Sequence, residues 1–109
     1  MRFLMTTKGG SDMTPPSEEV FAEMGAFVEE TTRAGVLLAS GGLDPVGINV
    51  SASDGEVTVT DGRFGEAAIV NFALIEVGST EEALELSRRF WKILGSGEGS
   101  IQQVFGPED

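Results

Sequence analysis

Asp61 and Arg63 are the residues of this chain best suited to chemistry: a carboxylate and a guanidinium placed directly after the alternating run Val57-Thr58-Val59-Thr60. A carboxylate at a strand end beside a large ring, here Phe64, is a candidate general base. Arg63 is a candidate clamp for a ligand carboxylate, which a guanidinium binds bidentately. Both also have a plainer reading. Asp61-Gly62 reads as a turn, with Asp bonding the amides that follow and Gly tolerating positive φ. Arg63 then becomes a solvated loop cation or a partner of Glu66. Asp44, ahead of Pro45, offers a further carboxylate to the same cleft, again with turn chemistry as the alternative. Met5, Met24 and Phe72 are soft apolar wall material, and with Asp44 and Phe64 they make up the expected ligand pocket.

The missing residue types narrow the chemistry. The chain has no Cys, His or Tyr. Disulfides, thiolate nucleophiles and thiolate metal sites are thereby excluded, as are the usual neutral-pH base and the commonest zinc and haem ligand. No cofactor and no metal are expected, because the remaining oxygen ligands suit weak Mg²⁺ or Ca²⁺ sites at best. The net charge of −11 repels phosphate backbones, and no Lys and Arg cluster overrides it, so no nucleic-acid partner is expected. Gly41-Gly42 and the glycines of 95–99 have neither the lysine nor the spacing of a phosphate cradle. The apolar opening Met1-Arg2-Phe3-Leu4-Met5 is too short for a signal-peptide core or a membrane span. A cytoplasmic protein with no membrane partner is expected.

The elements that must position these residues follow from periodicity. At 109 residues and 40% apolar composition, a single domain spanning 1–109 is expected. Residues 2–7 read as a strand leading to a turn at 9–12. Ser17 is an N-cap, Glu18 and Glu19 suit a first helical turn, and Val20, Phe21, Met24, Phe27 and Val28 read as the helix's apolar face. Gly35 ends that helix, and Val36-Leu37-Leu38-Ala39 reads as a buried strand. Residues 48–52 and 57–60 form a hairpin around Asp54-Gly55. Residues 69–77 form a strand apolar on both faces, with Val70, Phe72 and Leu74 on one side. Ser79 and Glu82 form a capping box for a second helix that Gly95 ends, with Phe90 and Trp91 as core or dimer contacts ahead of a stacking platform for an aromatic ligand. A last strand over 101–105 completes the order. Two helices on one face of a mainly antiparallel sheet give the fold class: α+β, a ferredoxin-like sandwich.

Thr60-Asp61-Gly62-Arg63-Phe64 resembles the signature of the DGPF-domain branch of the YCII-related family, with Arg63 where that motif has Pro. Ala34-Gly35-Val36-Leu37-Leu38, the hairpin, Leu74-Ile75-Glu76-Val77 and Glu81-Glu82-Ala83 fit the family's layout in order and spacing. The resemblance implies a ferredoxin-like fold that dimerises sheet to sheet into an α+β barrel. It also implies relatedness in fold to muconolactone isomerase, chlorite dismutase and small cofactor-free monooxygenases. Where YCII proteins carry a suspected catalytic His on the first helix, this chain has Met24.

Three functions are compatible with these residues. The first is a small homodimeric ligand-binding or regulatory domain. The second is a cofactor-independent enzyme, isomerase- or monooxygenase-like, acting on a small apolar or aromatic molecule near Asp61. The third is a structural dimer partner within a larger complex. A second copy is expected because the chain has no third helix to cover the other face of strand 69–77.

Overall fold

Ser17 Oγ accepts the Val20 amide at 3.2 Å and so starts the first helix, α1 (Glu18–Arg33), with Glu18 and Glu19 at its positive end and Arg33 at its negative end. Gly35 closes it at φ +75°, a left-handed conformation that a side chain would strain. Seven further elements accompany it: β1 (Arg2–Lys8), β2 (Leu37–Gly42), β3 (Val46–Ser53), β4 (Glu56–Arg63), β5 (Ile69–Glu76), α2 (Thr80–Leu94) and β6 (Gly99–Val104). The computed structural model describes residues 1–8, 17–44, 46–63 and 68–107, with the backbone alone at Arg63. The expected turn at 9–12, Phe64 with the rest of 64–67, and the side chain of Arg63 lie outside the described residues.

Four strands form one sheet in the order β2-β5-β1-β6, and every neighbouring pair is antiparallel. That order is the double split-βαβ arrangement of a ferredoxin-like sandwich: α1 carries the chain from β1 to β2 across β5, and α2 from β5 to β6 across β1. The register places Phe3 opposite Ile75 and Met5 opposite both Ala73 and Ile101. Directly opposed residues share a face. This face packs under the helices, where Phe3, Ile75 and Ala83 form the core with Leu37, Leu86 and Ile101 against it. On the reverse face Leu4 opposes Leu74, Thr6 opposes Phe72 and Arg2 opposes Val104. Thr6 is buried there, its hydroxyl 2.7 Å from that of Ser100. Leu4, Phe72, Leu74 and Val104 are half-buried, and among the described residues no helix lies over them.

α2 is seated by its own cap and by a ring. Ser79 Oγ accepts the Glu82 amide at 3.2 Å, and Glu82 Oε2 accepts the Gly78 amide at 2.7 Å, one residue earlier than in a standard capping box. Trp91 lies where Cβ atoms on Gly97 and Gly99 would stand, within 2.8 Å and 3.0 Å of its ring. Arg89 bonds Glu30 and stacks 5.0 Å from the Phe27 ring centre, which ties α2 to α1. Both partners of that ion pair are more than half exposed, so it contributes well under ~1 kcal/mol.

Three expectations are corrected. Residues 37–42 are not a buried strand: β2 is a sheet edge, and Leu38 is 43% exposed. A run of apolar residues does not distinguish a central strand from an edge. Phe21 does not share the buried stripe of α1 and is 67% exposed, since it sits ~100° around the helix from Val20. Asp61-Gly62 is not a turn: β4 runs through both, pairing Asp61 with Ile48 and Gly62 with Gly47. A Cβ on Gly62 would meet the end of the exposed Asn49 side chain on the neighbouring strand, which would have to swing aside.

The hairpin of β3 and β4 stands apart as its own two-stranded sheet, turned by Asp54 at φ +49° and Gly55 at φ +83°. The Cα radius of gyration is 16.1 Å, against ~13 Å for a compact chain of this length.

Ile75 is 1% exposed and faces Phe3 across the central ladder. Ile75→Ala should cost about 2–5 kcal/mol of stability, read as a lower midpoint in chemical denaturation with an unchanged slope.

Candidate ligand cavity

Between the two helices and the sheet lies a cavity of about 350 Å³. Met5, Leu37, Ala73 and Ile75 line it from the sheet, Met24, Phe27 and Val28 from α1, and Leu86, Phe90 and Leu94 from α2. The wall is overwhelmingly apolar. Thr31 contributes a hydroxyl that is already used, donating to Phe27 O at 2.8 Å. Ser40 and Asn71, both exposed, are the polar side chains left for a ligand to meet. Among the described residues no titratable side chain lines it.

Each wall depends on its element. Met24, Phe27, Val28 and Thr31 recur at helical spacing, which puts them on one side of α1. Phe90 meets Trp91 edge to face, with ring centres 5.2 Å apart and planes at 83°. Trp91 is itself held over Gly97 and Gly99, so Phe90 is fixed toward the cavity by its neighbour's packing. Phe72 joins the wall at the seam between β2 and β5, where its partner is Gly41. A Cβ on Gly41 would come within 3.1 Å of the Phe72 ring.

The residues singled out in the sequence divide. Met5, Met24 and Phe72 line this one cavity, although they are far apart in the chain. Asp44 does not line it; its Oδ1 accepts the Val46 amide at 2.9 Å, a turn contact leading into β3. Asp61 does not line it either. It is exposed, within β4, on the same side of the hairpin as Ile48. Among the described residues no hydrogen bond or ion pair reaches its carboxylate. Phe90, weighed in the sequence as a stacking residue or a core contact, also lines it, and Phe27 and Leu94 are wall residues that sequence reasoning did not single out. Their helical periodicity marked them as inward-facing, and nothing in that signal separates core from cavity wall.

Among the described residues no three acidic side chains come together as a metal site, and no helix is long and apolar enough to cross a membrane. In comparisons with known proteins, the chain matches no family model and no curated protein.

Because Asp61 is exposed and unpartnered among the described residues, Asp61→Asn and Asp61→Ala should each change stability by less than about 0.5 kcal/mol. Thermal melts of the two variants beside the wild type check this. A loss of ~1–3 kcal/mol in the Ala variant alone would mean that the carboxylate satisfies buried amides.

Proposed function

We propose that this chain is a small homodimeric ligand-binding domain of the DGPF and YCII-related kind, which holds an apolar or aromatic molecule between its helices and its sheet. The observation that carries the reading is the 350 Å³ cavity, lined by aliphatic, aromatic and thioether side chains and, among the described residues, by no titratable group. A cavity of ~150 Å³ with such a lining accommodates benzene, and ligand sites run from ~300 Å³ upward. A bicyclic aromatic is therefore the size class. The ligand is neutral or cationic, since a chain carrying −11 disfavours anions. A regulatory role follows naturally if ligand binding alters how copies associate.

The enzyme reading is second. Its base would be Asp61, which does not line the cavity, and among the described residues no other titratable group replaces it there. Binding without turnover suits these walls better than catalysis.

Titration with neutral N-phenylnaphthylamine tests the proposal. Its fluorescence should rise on saturable binding, and Met24→Trp, which fills the cavity from α1, should weaken binding about tenfold, the equivalent of ~1.4 kcal/mol. Non-saturable fluorescence, or equal binding by the variant, would defeat the reading.

The homodimer reading draws on the helix-free face of the sheet, where Leu4, Phe72, Leu74 and Val104 are half-buried. Covering that face with a second copy closes the sandwich, and a stable pair should bury ~1,200 Å² or more in total. Light scattering should return twice the 11.5 kDa chain mass at micromolar concentration.

A further inference from the structure

The β3–β4 hairpin gathers its apolar residues on one face, where Asp61 is the one charged side chain among the described residues. Val50 opposes Val59, Ala52 opposes Val57 and Ile48 opposes Asp61, so these residues share one face. The other face carries Asn49, Ser51, Thr58 and Thr60. Such a pattern belongs to a strand pair with one side buried. Here that side is open: Ile48, Val50, Val57 and Val59 are 59–64% exposed. Among the described residues no other element makes more than marginal contact with the pair. Two strands alone are marginally stable in water, so a hairpin of this composition calls for a cover.

We propose that the hairpin is a dimerisation arm whose apolar face lies on the helix-free sheet face of a second copy, each copy giving one arm and receiving one. The inference rests on the homodimer reading above and adds the element that makes the contact.

Three observations select a second copy as the occupant. First, the chain carries both halves of the contact, an apolar β-surface on the arm and another on the sheet around Leu4, Phe72 and Leu74. Two such surfaces pack face to face as sheets do. Second, the arm is not paired with its own sheet. β3 follows β2, β4 precedes β5, and Gly42 pairs with Asn71, so both strands of the arm join the sheet at the same end of the β2–β5 pair. With 8 residues in each strand it reaches roughly 26 Å, about the length of the sheet it would cover. Third, the area is adequate. Aliphatic side chains of this type bury roughly 60–120 Å² each. Four such side chains on each of two arms, with the surfaces they cover, therefore remove roughly 1,000–1,900 Å² from water, which overlaps the range of stable protein interfaces.

The test is a fourfold variant, Ile48→Thr, Val50→Thr, Val57→Thr and Val59→Thr, compared with the wild type by light scattering across a dilution series. Thr keeps the β-branch and the strand preference while removing the apolar surface. The expected result is a dimeric wild type and a folded variant whose dimer dissociates at ~100-fold higher concentration or more. A variant that dimerises like the wild type overturns the arm and leaves the homodimer standing. A wild type that stays monomeric at every concentration overturns both. Hydrogen exchange on the wild type decides the matter independently, even where the variant does not fold. Amides of 46–63 should be protected in the dimer and lose protection on dilution, while those of β5 keep theirs. Unprotected arm amides in the dimer refute the proposal.

Discussion

Phe3 and Ile75 meet across the β1–β5 ladder, and the position of every other element in the main layer follows from that contact. β6 pairs with the free side of β1, β2 with the free side of β5, and α2 seats Ala83 against the same two side chains. A strand buries alternate residues on alternate faces. Because Leu4 and Leu74 are the next residues along the ladder, the register that buries Phe3 and Ile75 also lays an apolar surface on the reverse side. The chain's two helices both lie on the first side. The apolar reverse face is thus a consequence of the central pairing and no separate feature of the surface.

The cavity has a comparable origin in backbone economy. Trp91 can lie flat against the start of β6 because Gly97 and Gly99 present no Cβ, and at Gly99 a side chain would collide with the Thr6 carbonyl as well. That seating fixes one end of α2. The Glu30–Arg89 bond and the Arg89–Phe27 stack hold α2 to α1 on their exposed side. Held by a ring below and a cation above, the helices stand far enough apart to leave Phe27 and Phe90 as opposite walls.

Much of this was legible in the sequence where a residue type has one conformational use. Asp54-Gly55 between alternating runs marked the hairpin, Ser17 and Ser79 marked the helix starts, and Gly35 marked a helix end. Reading failed where a residue type has two uses. Gly62 resembles a strand breaker, yet β4 runs through it, paired with Gly47 on the adjacent strand, a contact invisible in one dimension. Leu37-Leu38-Ala39 resembles a central strand, yet its place at the edge depends on β5 inserting between it and β1. For the site, Met5, Met24 and Phe72 were recognisable as wall material by type. Their convergence, and the absence of Asp61 and Asp44 from the same wall, came from topology: Asp61 lies on a strand outside the main sheet and Asp44 in the connection leading to it.

The hairpin has a further property that follows from being only two strands wide. Both of its long edges present unpaired backbone amides and carbonyls, the template on which extended chains assemble into fibrils. Valine- and isoleucine-rich strands with open edges are hazardous during synthesis, before any symmetric contact exists. The surplus of acidic residues answers that hazard: nascent copies carrying −11 repel one another at long range, and only a contact with enough apolar area overcomes the repulsion. Salt shortens the range of that repulsion to ~8 Å at physiological strength. Ionic strength thereby sets how closely two copies approach before their charge keeps them apart.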